Sequence, residues 1–355
     1  SNPKIGRLWL IVIVEDDING TLKIIWNHRL VPTAEKTNFL SPVQFGNRKG
    51  RMALDALLMK IVTMDCIRLF RLNGAILNND TAACYNRMIP ELTAVHLKAL
   101  GLPDNATRTS VQLNHRAKHY IKTMAGVTEE YYQSTPDYPS FGEGQGKGSS
   151  PSNWLFTVST LLAALHQLCS GIKLFSVCRK KSASRVADAY VDDTGNTYVN
   201  IEKQSSKTPE SIQDKMQHTA QTWEQLLFGS GGRLCHKKTF WWLIWWVWKD
   251  GKATMATKSD IDTKVQIKFG RDATATTIKR KNCNEVAKDL GVLVNPEGDF
   301  CPKFERREKI SIQVTQRLKH SSISAKNTYR LYHNIWLPSM QYLLAVTSFL
   351  KTQCV

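Results

Sequence analysis

A pair of adjacent carboxylates inside an apolar, strand-prone stretch is the feature that most constrains how this chain folds. The pattern of residues 186–195 (VADAYVDDTG) predicts a strand and a glycine-containing turn, followed by a second strand over residues 196–201. Asp192 and Asp193 repel each other at a hairpin tip unless a positive group lies between them. A hard divalent cation such as Mg²⁺ suits this position, and an ordinary polar turn is the alternative interpretation.

Another carboxylate follows a second predicted strand. Residues 74–77 are apolar, and Asp80 comes shortly after them. A carboxylate at the end of a buried strand is costly unless it is solvated, paired or bound to a metal. Asp80 is therefore the predicted third acid for Asp192 and Asp193, although only the tertiary fold can bring such distant residues together.

The charge of the chain narrows the class of partner. Its 355 residues include 48 Lys and Arg against 30 Asp and Glu, and a net charge of +18 is typical of proteins that bind polyanions. A membrane surface would attract the same charge. However, the longest strongly apolar run, residues 240–248, is far shorter than the ~20 residues that span a bilayer. We predict a nucleic-acid partner and no membrane partner.

The cysteines and the first residue bear on the cellular context. Eight cysteines are scattered without a Cys-x-x-Cys pair, which favours reduced thiols over a zinc ribbon or a disulfide framework. We therefore expect an intracellular protein of the nucleus or cytoplasm, and not a secreted one. The chain starts at Ser1 instead of Met, so we expect a fragment of a longer product.

Two segments offer places for a phosphate-bearing ligand. The glycine-rich loop of residues 138–151 does not fit a P-loop, but it precedes a helix that Ser150 is predicted to cap and Pro151 to begin. Backbone N–H groups ahead of a helix suit a nucleotide, and a flexible connector is the alternative. Residues 44–51 (QFGNRKGR) place cations among glycines, which suits either phosphate contacts or a solvated loop.

Periodicity predicts most of the other elements. The tryptophans of residues 241–248 suit either a packed core or base stacking, and His115 and His119 suit either a shared metal or a basic helix face. Predicted helices cover residues 52–70, 86–101, 110–126, 205–227 and those after Pro302, and strands are predicted over 4–14 and 233–248, the latter ending in a hairpin turn at 249–252.

In chain order, these features resemble the reverse transcriptase domain of a eukaryotic retroelement, closest to the non-LTR (LINE-type) kind. Each matching segment is short, and the resemblance rests on the segments occurring in the same order as in that family. Where the family often has Arg-Pro-Ile, this chain has residues 9–11 (WLI), and Asn86 stands where Asp is common. The matching segments are residues 44–51, 80–86 (DTAACYN), 145–151 (QGKGSSP), 190–193 (YVDD), 230–234 with Lys238, and 290–292.

The resemblance implies a role for each matched residue. Asp80 and Asp192 would ligate two Mg²⁺ ions, with Mn²⁺ as a substitute, and Asp193 would complete the metal site. Lys238 would lie near the triphosphate as a proton donor. Tyr85 would be the steric gate that rejects a ribose 2′-hydroxyl. The nucleotide contacts implied besides Tyr85 are Gln145, Gly146, Arg48 and, after a shift of register, Arg7.

The implied fold is an α+β right-hand polymerase. Residues 1–73 would form partial fingers, 74–300 an antiparallel-sheet palm with interleaved finger elements, and 301–355 a truncated helical thumb. The basic thumb, with its interleaved Tyr329, Tyr332 and Trp336, suits a nucleic-acid duplex or single strand.

The implied function is RNA-templated DNA synthesis from a DNA primer with dNTPs. One alternative is a catalytically decayed relic that only binds nucleic acid, which Trp9 and Leu10 favour. Another is a different template-directed nucleotidyltransferase, either maturase-like or an RNA-dependent RNA polymerase. Tyr85 argues against RNA synthesis, because an aromatic side chain at that position excludes rNTPs.

Overall fold

The computed structural model describes residues 11–82, 84–139, 141–176, 178, 180–200, 208–272, 274–342 and 344–347. The helices are α1 (Asp16–Lys23), π1 (Ile24–Leu30), α2 (Val31–Lys36), α3 (Ala53–Phe70), α4 (Cys84–Arg87), α5 (Pro90–Ala99), α6 (Asp104–Arg116), α7 (Ser150–Leu168), α8 (Pro209–Gly229), α9 (Cys301–Lys319), α10 (Ala325–Leu331), π2 (Tyr332–Trp336) and α11 (Leu337–Gln341), with a 3₁₀ turn at Leu344–Val346. The strands are β1 (Asn73–Asp80), β2 (His119–Thr123), β3 (Gly126–Tyr132), β4 (Ile172–Phe175), β5 (Ser182–Arg185), β6 (Ala187–Tyr190), β7 (Asp193–Asn200), β8 (Phe240–Ile244), β9 (Trp246–Lys249), β10 (Lys252–Met255), β11 (Val265–Ile267), β12 (Thr276–Lys281), β13 (Ala287–Asp289) and β14 (Val292–Val294).

A six-stranded sheet with the order β11-β12-β8-β1-β7-β6 organises the fold. β1 lies inside it and is antiparallel to both neighbours, β7 and β8. β12, however, pairs with β8 in parallel, so the prediction of a purely antiparallel sheet is wrong at this pair. The chain leaves β8 through the β9–β10 hairpin and returns through β11, which pairs antiparallel with β12. Because of the intervening strands, β12 enters the sheet in the same orientation as β8.

Both faces of the sheet are buried, which explains why β8 (FWWLI) and the middle of β1 (residues 75–77) are apolar without alternation. On one face, Ala75, Leu77 and Trp241 belong to a core that includes residues of α7 and α8. On the other face, Ile76 and Trp242 belong to a core that includes residues of α3, β13 and β14. Alternate side chains of a strand point to opposite faces, so adjacent tryptophans of β8 enter different cores. Core packing is therefore the correct interpretation of Trp241 and Trp242.

Several predicted elements differ from the observed ones. The helix predicted over residues 110–126 ends at Arg116 in α6, and the β2–β3 hairpin follows, because the β-branched and aromatic residues there favour strands. The helix predicted over 86–101 is split into α4 and α5, and Pro90 starts the second piece. Of the predicted strand at 4–14, residues 4–10 lie outside the described part, and residues 11–14 form no strand.

A ladder of glutamines covers the outer edge of the sheet. Gln213, Gln217 and Gln221 lie four residues apart on α8, which gives a spacing of ~6 Å along the helix. Alternate residues of a strand are ~6.7 Å apart, so the two spacings nearly match. The Oε1 atoms of these three glutamines accept hydrogen bonds from the backbone N–H groups of Lys264, Gln266 and Lys268 at 3.1, 2.6 and 2.9 Å respectively. The edge strand β11 is thereby covered by side chains.

We expect Gln217→Leu to destabilise the chain and promote self-association. The substitution removes two hydrogen bonds to the backbone of Gln266, which at roughly 1 kcal/mol each lowers the free energy of unfolding by about 2 kcal/mol. Urea unfolding and sedimentation velocity at increasing protein concentration measure the two effects. Gln225→Leu, one turn beyond the ladder, is the matched control. Equal behaviour of the two variants would show that the ladder does not protect the edge.

Within the described residues, none of the helices combines the length and the apolar content needed to cross a bilayer.

Candidate active site

The central strand carries one predicted acid to the end of the sheet. In β1 the residues from Gly74 to Asn79 are buried, and Asp80, the last residue of the strand, is partly exposed. The register of β1 and β7 sets Asp80 directly opposite Asp193. Two acids that are far apart in the sequence therefore become cross-strand neighbours, as their positions at strand ends suggested.

The hairpin of β6 and β7 carries the adjacent acids, but its turn differs from the predicted one. Tyr190 pairs with Asp193, so the turn consists of Val191 and Asp192 and contains no glycine. Gly195 lies within β7 instead. A Cβ at this position would come within 2.7 Å of the Lys60 side chain, so the glycine provides space for Lys60. Thr81 Oγ1 donates a hydrogen bond to the Asp192 carbonyl at 3.3 Å and connects the hairpin to the end of β1.

The two hairpin acids have a raised affinity for protons. Burial raises the pKa of Asp192, and the neighbouring charge of Asp80 adds to the effect. Burial likewise raises the pKa of Asp193 to about 6, with further contributions from Asp192 and other nearby carboxylates. Since like charges oppose ionisation of one another, the end of the sheet would be stabilised by added positive charge.

One cation already lies at this position. Lys238 Nζ forms an ion pair with Asp80 Oδ2 at 2.8 Å. The hydrogen bond to Asp80 raises the pKa of Lys238, so its ammonium group is protonated at neutral pH. Lys238 therefore lies beside the acids with a carboxylate as its partner, and its role near a triphosphate stays a prediction.

The acids suit a divalent cation in their chemistry. Asp80, Asp192 and Asp193 offer the hard oxygen donors that Mg²⁺ prefers, and the pKa of each hairpin acid is raised by burial first and by the neighbouring carboxylates second. In the described part of the chain, no three acidic, histidine or cysteine side chains are already arranged as a metal-binding cluster. Binding would therefore require these side chains to converge and Asp80 to exchange Lys238 for the cation.

Tyr85 lies on α4, and the glycine-rich loop leads into α7. Burial raises the pKa of Tyr85, and Asp192 and Tyr190 are among the charges that raise it further, which places Tyr85 near the hairpin. The loop reaches it through a hydrogen bond from Glu143 N to Tyr85 O at 2.8 Å. Ser150 does not cap α7, because its hydroxyl donates to the carbonyl of Gly144 at 2.7 Å.

Gln145 and Gly146 lie in the middle of this loop. The Gln145 carbonyl accepts a hydrogen bond from Val12 N at 2.6 Å. Gly146 has a φ of +107°, and a Cβ there would be 2.6 Å from the Val12 carbonyl oxygen, so a larger residue does not fit. Both residues thus contact the segment that follows residues 1–10. Arg7, predicted to contact the nucleotide, belongs to those residues and lies outside the described part.

The geometry does not support a nucleotide contact by Arg48. Its side chain is buried and forms an ion pair with Glu35 at 2.5 Å. The same guanidinium donates to the carbonyls of Ser41 and Gln44 at 2.7 and 2.9 Å. Arg48 therefore shapes the turn of residues 41–48, and four of its five N–H donors bond inside the protein.

Sequence reasoning missed a buried charged group beneath the hairpin. Lys60 on α3 forms an ion pair with Asp289 at the end of β13, and both side chains are almost fully buried. Asn78 on β1 accepts a hydrogen bond from Lys60 at 3.0 Å and donates one to Asp289 at 3.3 Å. A lysine within the apolar pattern of α3 was the only sequence signal for this group. It connects α3, β1 and the β13–β14 hairpin close to the acids.

Comparison with solved structures finds telomerase chains of low similarity. Apo telomerase from Candida tropicalis, truncated from its C-terminal domain, is 12% identical with a TM-score of 0.38, and the alignment covers 62% of this chain and 40% of that one. Telomerase from Candida albicans, in complex with a TWJ fragment of telomeric RNA, is also 12% identical with a TM-score of 0.38, and the alignment covers 94% and 52%. This chain spans about half or less of the length of those chains. No protein-family pattern matches the sequence, and no curated protein is detectably similar to it.

Proposed function

We propose that this chain is an RNA-directed DNA polymerase of the reverse transcriptase type, with a right-hand arrangement of fingers, palm and thumb. The observation that carries the proposal is the register of the central sheet, which sets Asp80 opposite Asp193 with Asp192 in the adjoining turn. Three carboxylates at the end of neighbouring strands, in a chain of net charge +18, suit nucleotidyl transfer on a nucleic acid.

The proposed cofactor is Mg²⁺, as two ions, with Mn²⁺ as a substitute. Asp80 and Asp192 would hold them, and Asp193 would complete the site. Bound there, the ions would activate the primer 3′-hydroxyl and stabilise the leaving pyrophosphate. Lys238, protonated and largely exposed, is released when Asp80 takes another partner and can then donate a proton near the triphosphate.

The proposed path of the template and primer runs along the basic helices after β14. Exposed cations line α9, and on the next helices the rings of Tyr332 and Trp336 stack with centroids 5.0 Å apart. Phosphate contacts with cations supply affinity, and exposed aromatic rings offer stacking surfaces for bases. The ordered motifs support an origin in a LINE-type retroelement, with RNA as template and DNA as primer.

Primer extension tests the proposal directly. With poly(rA)/oligo(dT), dTTP and Mg²⁺ or Mn²⁺, we expect the natural chain to lengthen the primer. Binding of the same duplex is measured in parallel by fluorescence anisotropy. Absence of extension with duplex binding intact would instead identify the chain as a non-catalytic nucleic-acid-binding relic. Equal use of rNTPs and dNTPs would indicate a different template-directed nucleotidyltransferase.

We expect Tyr85→Ala to weaken the discrimination between dNTPs and rNTPs. Tyr85 is half-buried near Asp192, where a bulky ring would collide with a 2′-hydroxyl. Removing such a clash recovers roughly 1–3 kcal/mol, so the ratio of kcat/KM for dTTP and UTP should fall by about tenfold or more. Tyr85→Phe keeps the ring and serves as the control. An unchanged ratio in Tyr85→Ala would remove Tyr85 from the role of steric gate.

We expect Mg²⁺ to stabilise the folded chain more at about pH 8 than at about pH 5.5, because metal-binding carboxylates must be ionised. The pKa of Asp193 is raised from 3.8 to about 6. Without metal, its contribution to stability is therefore present below pH 3.8 and is lost as the pH rises through about 6. Mg²⁺ at about a hundred times its Kd would add roughly 2.7 kcal/mol, a rise in Tm of several degrees. Differential scanning fluorimetry measures it, and an equal Tm rise at both pH values would contradict carboxylate ligation.

A further inference from the structure

The turn that presents Asp192 adopts an unfavourable backbone conformation. Val191 has a φ of +58°, and it is β-branched, so it pays a steric penalty in the left-handed region. Such a residue stays strained only where the surrounding structure holds it firmly. Because Val191 is the joint between β6 and Asp192, its conformation sets the direction of the Asp192 carboxylate.

Two side chains from distant segments hold Val191 by its backbone. The Gln44 carboxamide donates from Nε2 to the Val191 carbonyl at 3.2 Å, and its Oε1 accepts from Val191 N at 3.3 Å. The indole Nε1 of Trp154 on α7 donates to the same carbonyl at 2.7 Å. Both backbone polar groups of Val191 are therefore satisfied by side chains instead of by strand pairing.

Gln44 is itself held in place. Its side chain is fully buried, and its Oε1 also accepts a hydrogen bond from Gly46 N at 2.9 Å. The segment around it pairs along the edge of β6, with Phe45 N donating to Ala189 O at 2.8 Å and Ala189 N donating to Val43 O at 2.9 Å. Gly46 must be a glycine, because a Cβ there would lie 2.4 Å from Val191 N.

The arginine of this turn completes the support. Arg48 binds the Gln44 carbonyl and Glu35, so it fixes the backbone from which the carboxamide extends. A continuous set of contacts thus runs from Glu35 through Arg48 and Gln44 to the backbone beside Asp192. None of these contacts reaches the acids directly, which is the pattern of a positioning device.

We propose that Gln44, assisted by Trp154, is a positioning residue for Asp192 and acts by holding Val191 in its left-handed conformation. The inference rests on the proposed polymerase function for its catalytic consequence. The turn at Val191 needs the Gln44 carboxamide whether or not the chain is a polymerase. Glycine adopts positive φ without penalty, so a glycine at position 191 would make Gln44 dispensable.

Steady-state primer extension with four chains tests the catalytic consequence: the natural chain, Gln44→Leu, Val191→Gly and the double variant. We expect Gln44→Leu to lower kcat roughly ten- to a hundredfold while KM for dTTP changes less than about threefold. In the Val191→Gly background, the same substitution should change kcat by less than about threefold. Gln167→Leu, an exposed glutamine on α7, is the control and should retain the natural kcat.

An unchanged kcat in Gln44→Leu, or an equal loss in both backgrounds, would overturn the proposal. Trp154→Phe removes the indole N–H together with part of the ring, and provides a second variant if Gln44→Leu does not fold. We expect a smaller fall in kcat for it, again suppressed by Val191→Gly.

The Trp154 indole provides a readout that needs no activity. Its ¹H–¹⁵N signal, assigned by its loss in Trp154→Phe, reports the hydrogen bond to the Val191 carbonyl. We expect Gln44→Leu to shift this signal and accelerate its hydrogen exchange, and to do neither in the Val191→Gly background. If the natural chain extends no primer, the proposed function fails, and this signal still decides the inference: an indole unaffected by Gln44→Leu would refute it.

Discussion

We expect Asp192→Asn to lower dTTP incorporation by about a thousandfold while duplex binding stays unchanged. Asp192 lies in the turn beside the cross-strand pair of Asp80 and Asp193, where its carboxylate is the proposed ligand of both cations. Loss of such a ligand removes roughly 4 kcal/mol of transition-state stabilisation, which corresponds to about three decades in rate. Primer extension under single-turnover conditions measures the loss.

Asp214→Asn is the matched control for this experiment. Asp214 is exposed on α8, and its substitution changes the net charge by the same amount. We expect it to retain the natural rate. Asn is nearly isosteric with Asp and relieves repulsion among the acids, so Asp192→Asn should be at least as stable as the natural chain in the absence of metal. An Asp192→Asn chain that still extends primers within tenfold of the natural rate would exclude Asp192 as a metal ligand.

The largest loss of stability is expected for Lys60→Met. Lys60 is buried with Asp289 and Asn78, and its removal leaves the Asp289 carboxylate in the protein interior without its cation. Breaking a buried ion pair on one side costs about 3–5 kcal/mol, a large part of the stability of a typical domain. Urea unfolding followed by tryptophan fluorescence measures the change in the free energy of unfolding.

The double variant Lys60→Met/Asp289→Leu separates the buried charge from simple loss of packing. Replacing both partners with apolar residues removes the uncompensated charge, so we expect it to recover most of the lost stability. Lys288→Met, at the neighbouring exposed position of β13, should change the free energy of unfolding by less than about 0.5 kcal/mol. If the double variant were as unstable as Lys60→Met, burial of the Asp289 charge would not be the cause.

Local pattern was a good guide where a short segment carries its own physical signal. The apolar run of residues 74–77 lies in β1, which ends at Asp80, and the periodic apolar residues after Met52 form α3. The hairpin of the adjacent acids was also predicted, although its turn lies at Val191 and Asp192 and not at the glycine. Glycine is the usual signal for positive φ, and here a clamped valine adopts that conformation instead.

Pattern was a poor guide where distant contacts outweigh local chemistry. Three basic residues among glycines suggested either phosphate contacts or a solvated loop, yet Arg48 is buried against Glu35 and two carbonyls. The parallel pairing of β12 with β8 depends on the route of the chain between them. Neither outcome can be read from residue types alone, because each is decided by which surface the rest of the fold leaves available.

The sequence by itself determined that three acids end strands or occupy a hairpin, and that the chain carries a large positive charge. Those properties depend on side-chain chemistry and on the alternation of apolar and polar residues within short segments. Only the tertiary structure decided that Asp80 faces Asp193, that Lys60 lies beneath Gly195, and that Gln44 holds Val191 from 147 positions away. Strand register and contacts between distant segments are set by the packing of the whole core, and no short stretch of sequence encodes them.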